Sequence, residues 1–197
     1  MPITDRPART GGRVRSQDAH DAVLAAAAEL VEEIGYQRVT IEGVAQRAGV
    51  AKSTIYRWWK SKAELVMDAY RLTVEERMPE PDTGDVRADL IEFTTRLYGI
   101  SAYPVRVKAL RGLMAEAQLD AGFGTAFRAW VDTRRAVVAG LLARGIERGE
   151  LAADIDLDYT ADQLFGVFWY RLLTERELAP EQAADHVDRL LEGLTRT

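Results

Sequence analysis

The sequence predicts an all-α protein of about nine helices, with a small basic N-terminal domain followed by a larger acidic helical body. Three observations carry that prediction. Apolar residues recur at offsets of three and four along most of the chain, glycine and proline punctuate the runs, and no segment shows strand-like alternation with hairpin signals. The charge is also divided: residues 1–62 hold 10 Lys+Arg against 7 Asp+Glu, whereas residues 63–197 hold 16 against 24.

The first 15 residues carry Arg6, Arg9, Arg13 and Arg15 among Pro2, Pro7 and Gly11-Gly12, and read as a mobile basic arm. From Ser16 a first helix is predicted, because Val23, Ala26, Ala27, Leu30, Val31 and Ile34 share one face and Gly35 can stop it. Thr40 suits the N-cap of a second, short helix carrying Ile41, Val44, Ala45 and Ala48 and closed by Gly49. A third short helix is expected from about Lys52 to Trp59. Ser61 with Glu64 has the spacing of a capping box and opens a fourth, reaching about Arg77.

Pro79 and Pro81 break the pattern where the basic region ends, so the division is placed there: arm 1–15, first domain 16–78, second domain 79–197. Val86, Leu90, Phe93 and Leu97 mark a fifth helix. Pro104 opens a sixth with Leu110, Leu113, Met114 and Ala117. Phe127, Trp130, Val131, Val137, Val138, Leu141 and Leu142 carry a seventh, ended by Gly145 and Gly149. The eighth, about 158–175, is apolar nearly all round, with Leu164, Phe165, Val167, Phe168, Trp169, Tyr170, Leu172 and Leu173. Such a helix cannot face water on any side, so either it threads the centre of its domain or a second copy of the chain covers it. The ninth, about 180–195, shows Val187, Leu190, Leu191 and Leu194.

The 197 residues suffice for one or two domains, and 47% hydrophobic with 29% charged residues is ordinary globular composition. No run approaches the roughly 20 apolar residues of a membrane span, and the N-terminus lacks the apolar segment of a secretory signal. A cytoplasmic protein without membrane attachment is expected. Zero cysteines exclude disulfides and thiolate chemistry; two histidines and four serines mark no catalytic group, so no enzyme activity, cofactor or metal site is expected. Asp154, Asp156 and Asp158 imitate a calcium loop, but Tyr159 replaces its glycine and Phe165 its closing glutamate. Gly122 and Gly124 lack both the third glycine and the preceding strand of a nucleotide loop. His20 and His186 have no metal-ligand spacing.

Between Tyr36 and Lys62 stand six basic residues and one acid, Glu42. Charge alone does not separate DNA from RNA, lipid or a solvated face. The arrangement is more informative, because residues 40–62, TIEGVAQRAGVAKSTIYRWWKSK, describe a short helix, a glycine-containing turn and a second short helix, the helix-turn-helix plan. Val50, Ile55 and Trp59 supply apolar groups to lock the second helix. Lys52, Ser53, Thr54, Tyr56, Arg57 and Trp58 fall largely outside that packing set and suit hydrogen bonding and stacking at a nucleic-acid surface. Lys60 and Lys62 follow, and Thr40 places a hydroxyl at a helix N-terminus, a natural phosphate seat.

Residues from about Ser16 to Val66 resemble the tetracycline-repressor (TetR) family of bacterial transcriptional regulators. The likeness lies in Gly35-Tyr36, Val39-Thr40-Ile41, Val44-Ala45, Ala48-Gly49-Val50, Thr54-Ile55-Tyr56 and Ser61-Lys62-Ala63-Glu64-Leu65. Residues 80–197 match it only in length and helical character. The resemblance implies operator phosphates at Tyr56 and Lys62, backbone contact at Thr40, a reading helix at Lys52 to Trp58, and a homodimer formed by the last two helices. It further implies a palindromic double-stranded DNA operator, with half-sites about 34–36 Å apart. Release by a small-molecule effector is the expected control. Ala51 departs from the family, which often has a capping serine there, and Trp59 stands where phenylalanine is common.

For that effector the body offers Phe93, Tyr98, Tyr103, Met114, Phe123, Phe127, Trp130, Phe165, Phe168 and Trp169 as a store of aromatic and flexible apolar groups; each is equally at home in plain core. Of these, Phe93, Tyr98, Met114, Phe127, Trp130, Phe165 and Trp169 are expected to line a pocket for an apolar or aromatic compound. Arg106, Arg111, Arg134 and Arg171 are open to an acidic ligand or to local carboxylates. The alternative function is a helical dimeric interaction module whose basic motif does not read DNA sequence.

Overall fold

The structure, a computed structural model, describes residues 11–78 and 80–192, the side chains of 11–16 excepted. Its described elements are all helical: α1 (Gly11–Ile34), α2 (Ile41–Ala48), α3 (Lys52–Tyr56), α4 (Lys62–Arg77), α5 (Val86–Tyr98), α6 (Pro104–Leu119), α7 (Ala121–Glu147), α8 (Leu157–Leu173) and α9 (Ala183–Leu191). Short 3-10 turns occupy Tyr36–Arg38, Gly99–Ala102 and Pro180–Gln182. No described helix is long and apolar enough to cross a membrane. The chain forms two compact units, one ending at Ala69 and the other beginning at Tyr70. That division falls inside α4, whose Leu65, Val66, Met67 and Ala69 are buried.

In the first unit, the face read from the sequence of α1 is the core face: Val23, Ala26, Ala27, Leu30 and Val31 are buried, together with Ile41, Val44 and Ala45 of α2 and Ile55 of α3. Helix α1 starts at Gly11 rather than Ser16, so residues 11–15 of the expected arm are helical in backbone; residues 1–10 of that arm lie outside the described residues. Helix α3 ends at Tyr56, not Trp59. The N–H groups of both Trp58 and Trp59 donate to the Ile55 carbonyl at 3.0 Å, which tightens the last turn and carries Trp59 inward.

The second unit is built from α5 to α9 around Leu90, Phe93, Leu113, Phe123, Leu141, Leu164 and Val187, all essentially inaccessible to solvent. Three of these five helices, α5, α7 and α8, start on carboxylate caps: Asp85, Asp120 and Asp156 accept from Ala88, Phe123 and Tyr159 N–H at 2.6, 2.6 and 3.0 Å. Asp156 thus caps α8. Gly145 does not end α7. It lies within the helix, buried, where an added Cβ would stand 2.8 Å from Val86 Cβ, so this glycine sets the close approach of α7 to the start of α5. The helix stops two residues later, before Gly149 at φ +76.

Candidate nucleic-acid interface and effector region

The local chain chemistry fixes the helix-turn-helix. Thr40 Oγ1 accepts from Gly43 N–H at 3.0 Å and caps α2, as its position in the sequence suggests. At the other end Gly49 takes the left-handed conformation (φ 67, ψ 29) and Val50 N–H returns to the Ala45 carbonyl at 3.0 Å, a Schellman closure that turns the chain toward α3. Ala51 starts α3 with no side-chain cap. Ser61 Oγ accepts from Glu64 N–H at 3.1 Å, while Glu64 reaches back to Lys60 N–H at 2.8 Å rather than to that of Ser61.

Two residues anchor α3 and the turn after it from below. Ile55 is fully buried, and Trp59 is 3% exposed with its Nε1–H donating to Asp68 on α4 at 2.8 Å. Above them Lys52, Ser53, Tyr56, Arg57 and Lys60 are exposed, Thr54, Trp58 and Lys62 are half-buried, and Thr40 is exposed. None of the nine residues assigned to DNA is buried within the unit. They do not all project alike. Trp58 is fixed edge-on to His20 with ring centroids 5.2 Å apart, and the Arg57 guanidinium lies 4.6 Å over its ring. His20 also stacks on Trp59 at 4.8 Å. His20 therefore braces Trp58 and Trp59 without being predicted to; it lies three residues before Val23 on the same face of α1, which is the signal available in the sequence.

The excess of basic residues in this segment is largely engaged by the fold. Arg38 donates to the Ile34 carbonyl at 2.8 Å, and Arg47 forms a forked pair with Glu33 at 2.6 and 2.8 Å. That pair holds the Glu33 carboxyl below its ordinary range, chiefly through the hydrogen bond. Lys52 Nζ meets Glu42 at 2.7 Å, and their hydrogen bond lowers the Glu42 pKa and raises that of Lys52. Lys62 Nζ donates to the Tyr36 carbonyl at 3.1 Å and lies 4.1 Å over the Tyr36 ring. Lys62 can still offer remaining protons to a phosphate, but from a fixed position.

In the second unit five of the seven residues proposed for an effector make ring contacts with one another, as one pair and one trio. Phe93 and Phe165 meet edge to face at 5.9 Å, Trp130 contacts Phe127 at 5.5 Å and Trp169 at 6.4 Å, and Phe127 lies 6.2 Å from Trp169. Tyr98 does not join them. Its hydroxyl bonds His186 Nδ1 on α9 at 2.8 Å, and burial raises its pKa. Met114 is half-buried on α6 and takes no recorded part in the cluster. A separate groove of about 560 Å³ lies between the start of α6 and the segment joining α8 to α9, with Lys108, Arg111, Leu172, Arg176 and Leu178 among its lining. None of the seven residues lines it. Arg111 is already committed there, donating to the Leu172 carbonyl at 2.7 Å and to Glu175 at 3.2 Å.

Comparison with known proteins agrees with this architecture. Residues 23–69 match the family described as bacterial regulatory proteins, tetR family, and residues 80–191 match the tetracyclin repressor-like C-terminal domain. The chain is 36% identical over 190 residues to the HTH-type transcriptional regulator YdeS of Bacillus subtilis (strain 168), covering 94% of each protein. It is 29% identical over 162 residues to the DNA-binding transcriptional repressor TetR of Mycobacteroides abscessus, covering 80% of this chain and 84% of that one. The crystal structure of the TetR family transcription regulator SCO0332 superposes with a TM-score of 0.79 at 35% identity, over 91% of this chain and 100% of the other. The chain belongs to the TetR family of DNA-binding transcriptional regulators, not to the enzymes.

Proposed function

We propose that the chain is a ligand-responsive repressor that binds a palindromic operator as a homodimer. The observation that carries the DNA half of this reading is the solvent-facing surface of α3: Lys52, Ser53, Tyr56 and Arg57 are exposed on a helix held in place by buried Ile55 and Trp59. A short helix so held can enter the major groove with its N-terminal side chains at base edges, while Thr40, Tyr56, Lys60 and Lys62 meet phosphates.

Support for the dimer comes from α8. Tyr159, Gly166, Tyr170 and Leu173 form one stripe along the helix; the two tyrosines and the leucine are 63%, 56% and 69% exposed, and Gly166 has open space at its Cβ position. A stripe of this kind is covered economically by its own copy in a second chain, and a two-fold pair of reading helices demands a two-fold operator. Effector control is assigned to the aromatic cluster of α5, α7 and α8, where an apolar or aromatic compound would favour one separation of the reading helices over another. Repression is the outcome named for the M. abscessus relative. Mobility shift on the DNA upstream of the chain's own coding sequence tests the reading: a complex that resists unrelated competitor DNA is expected, and retention that ignores sequence overturns it.

A further inference from the structure

The interior of the second unit holds a cation without a counter-ion in contact. Arg134 on α7 is only 8% exposed, and its Nη2 donates to the Met78 carbonyl at a long 3.4 Å. No described carboxylate pairs with it. Glu75 and Glu80 act on it only through space, and each is engaged elsewhere: Glu75 with Arg71 at 3.0 Å and Glu80 with Arg144 at 2.7 Å. One turn earlier on the same side of α7, Trp130 is 7% exposed and its buried Nε1–H has no acceptor among the described residues. Buried donors in native proteins are almost always satisfied, and a buried guanidinium more stringently so.

Trp130 Nε1, which lacks an acceptor among the described residues, and the Arg134 guanidinium, which lacks a counter-ion in contact, belong to one chain of neighbouring side chains. The Arg134 guanidinium lies 5.4 Å over Phe93; Phe93 meets Phe165; Phe165 and Trp169 are one turn apart on α8; Trp169 meets Trp130; and Trp130 is one turn from Arg134. These side chains reach the surface at Trp169, which is half-buried. Of the four arginines open to a ligand or to local acids, Arg111 is paired, Arg171 donates to the Glu177 carbonyl and Gln182, and Arg106 stacks on Tyr103. Arg134 is left.

We propose that Arg134 is the anion-recognising residue of the effector site, taking a carboxylate carried on an aromatic or apolar body, with Trp130 Nε1 as a second donor and Phe93, Phe165 and Trp169 as the walls. A carboxylate fits better than a phosphate monoester because one guanidinium neutralises one charge through two parallel hydrogen bonds, and nothing else among these side chains would hold a second charge. Burial, which pushes the Arg134 pKa down, is then offset by the ligand.

This assignment rests on the reading of the aromatic cluster as an effector site, and its test separates the two. The purified full chain is titrated by calorimetry with 2-naphthoate and decanoate, each against its neutral amide. At least one carboxylate is expected to bind roughly tenfold or more tightly than its amide, a preference that Arg134→Gln abolishes and Arg134→Lys partly restores. Amide binding should change little in either variant. The assignment is overturned if the carboxylates show no advantage in the native chain, if none of the four probes binds at millimolar concentration, or if the preference survives Arg134→Gln. The ratio in the native chain decides the matter without any variant, so misfolding of Arg134→Gln leaves the test intact. Selective carboxylate binding that never releases DNA in a mobility shift would uphold the assignment and overturn ligand-responsive repression instead.

Discussion

Lys52, the first residue of α3, holds Glu42 of α2 across 2.7 Å, so a cation proposed to meet DNA is half-neutralised by its own scaffold. Both side chains are more than half exposed, so the pair is worth little to stability and its effect belongs to binding. Glu42→Gln should raise affinity for operator and nonoperator DNA alike, by roughly three- to tenfold at about 0.1 M salt, and steepen the salt dependence by about one phosphate contact. Fluorescence anisotropy across a salt series measures both. An unchanged slope would place the pair away from the phosphates.

The phosphate and base assignments separate by the same assay. Tyr56→Phe combined with Lys62→Ala should weaken binding across all sequences and flatten the salt slope by about one unit, since only one cation is lost. Arg57→Ala or Thr54→Ala should instead relax base preference at one operator position by about 1–3 kcal/mol if either reads a base. Because Lys62 also ties down the Tyr36 carbonyl, melting curves should accompany the affinities.

Trp59→Phe keeps an aromatic side chain but replaces the buried indole with a smaller phenyl ring and removes the N–H that reaches Asp68 at 2.8 Å. A loss of about 2–3 kcal/mol is expected in denaturant unfolding, without any change of base preference, because a part-buried, charge-assisted bond and some buried apolar volume are lost together.

Gly145→Ala should destabilise by about 1–3 kcal/mol, since its new methyl would collide with Val86 Cβ and Cγ2 at 2.8 Å. Adding Val86→Ala to it should cost less than the sum of the two single changes, as expected of residues sharing one contact. Strict additivity in unfolding experiments would contradict the close approach.

A pH dependence follows from His186. Burial first, and the Arg171 charge second, hold its pKa below the ordinary value near 6.5, and its Nδ1 faces the Tyr98 hydroxyl at 2.8 Å. The unfolded chain therefore binds more protons between the folded pKa and 6.5, so stability is complete above about pH 6.5 and is lost as pH falls through the folded pKa. The melting temperature should drop between pH 7 and pH 5 by more in the native chain than in His186→Gln, whose amide can hold Tyr98 without titrating.

Periodicity exposed most of the helices in the sequence because each buries one stripe, and stripes survive in a linear record. Thr40 and Gly49 were equally legible, since a cap and a left-handed turn each demand a particular residue type. What the sequence hides is pairing at a distance. Nothing in the spacing of Arg47 shows that Glu33 occupies it, nor that Lys62 sits on Tyr36. Arg111 and Arg134 look alike as letters, yet one is bonded to Glu175 and the other is buried beside Phe93. Gly145 reads as a helix stop until the neighbouring Val86 shows why it lies inside one. Helix ends, such as that of α3 at Tyr56, depend on where Trp59 must be buried, which is a tertiary decision.

Hydroxyl-radical footprinting of the full chain on a selected operator fragment tests the central claim most directly. Two symmetric protected patches about one helical turn apart, bound by two chains per duplex and both lost in the Tyr56→Phe, Lys62→Ala variant, are the predicted result. A single unsymmetrical patch bound by one chain, or protection spread evenly over unrelated sequence, would contradict it.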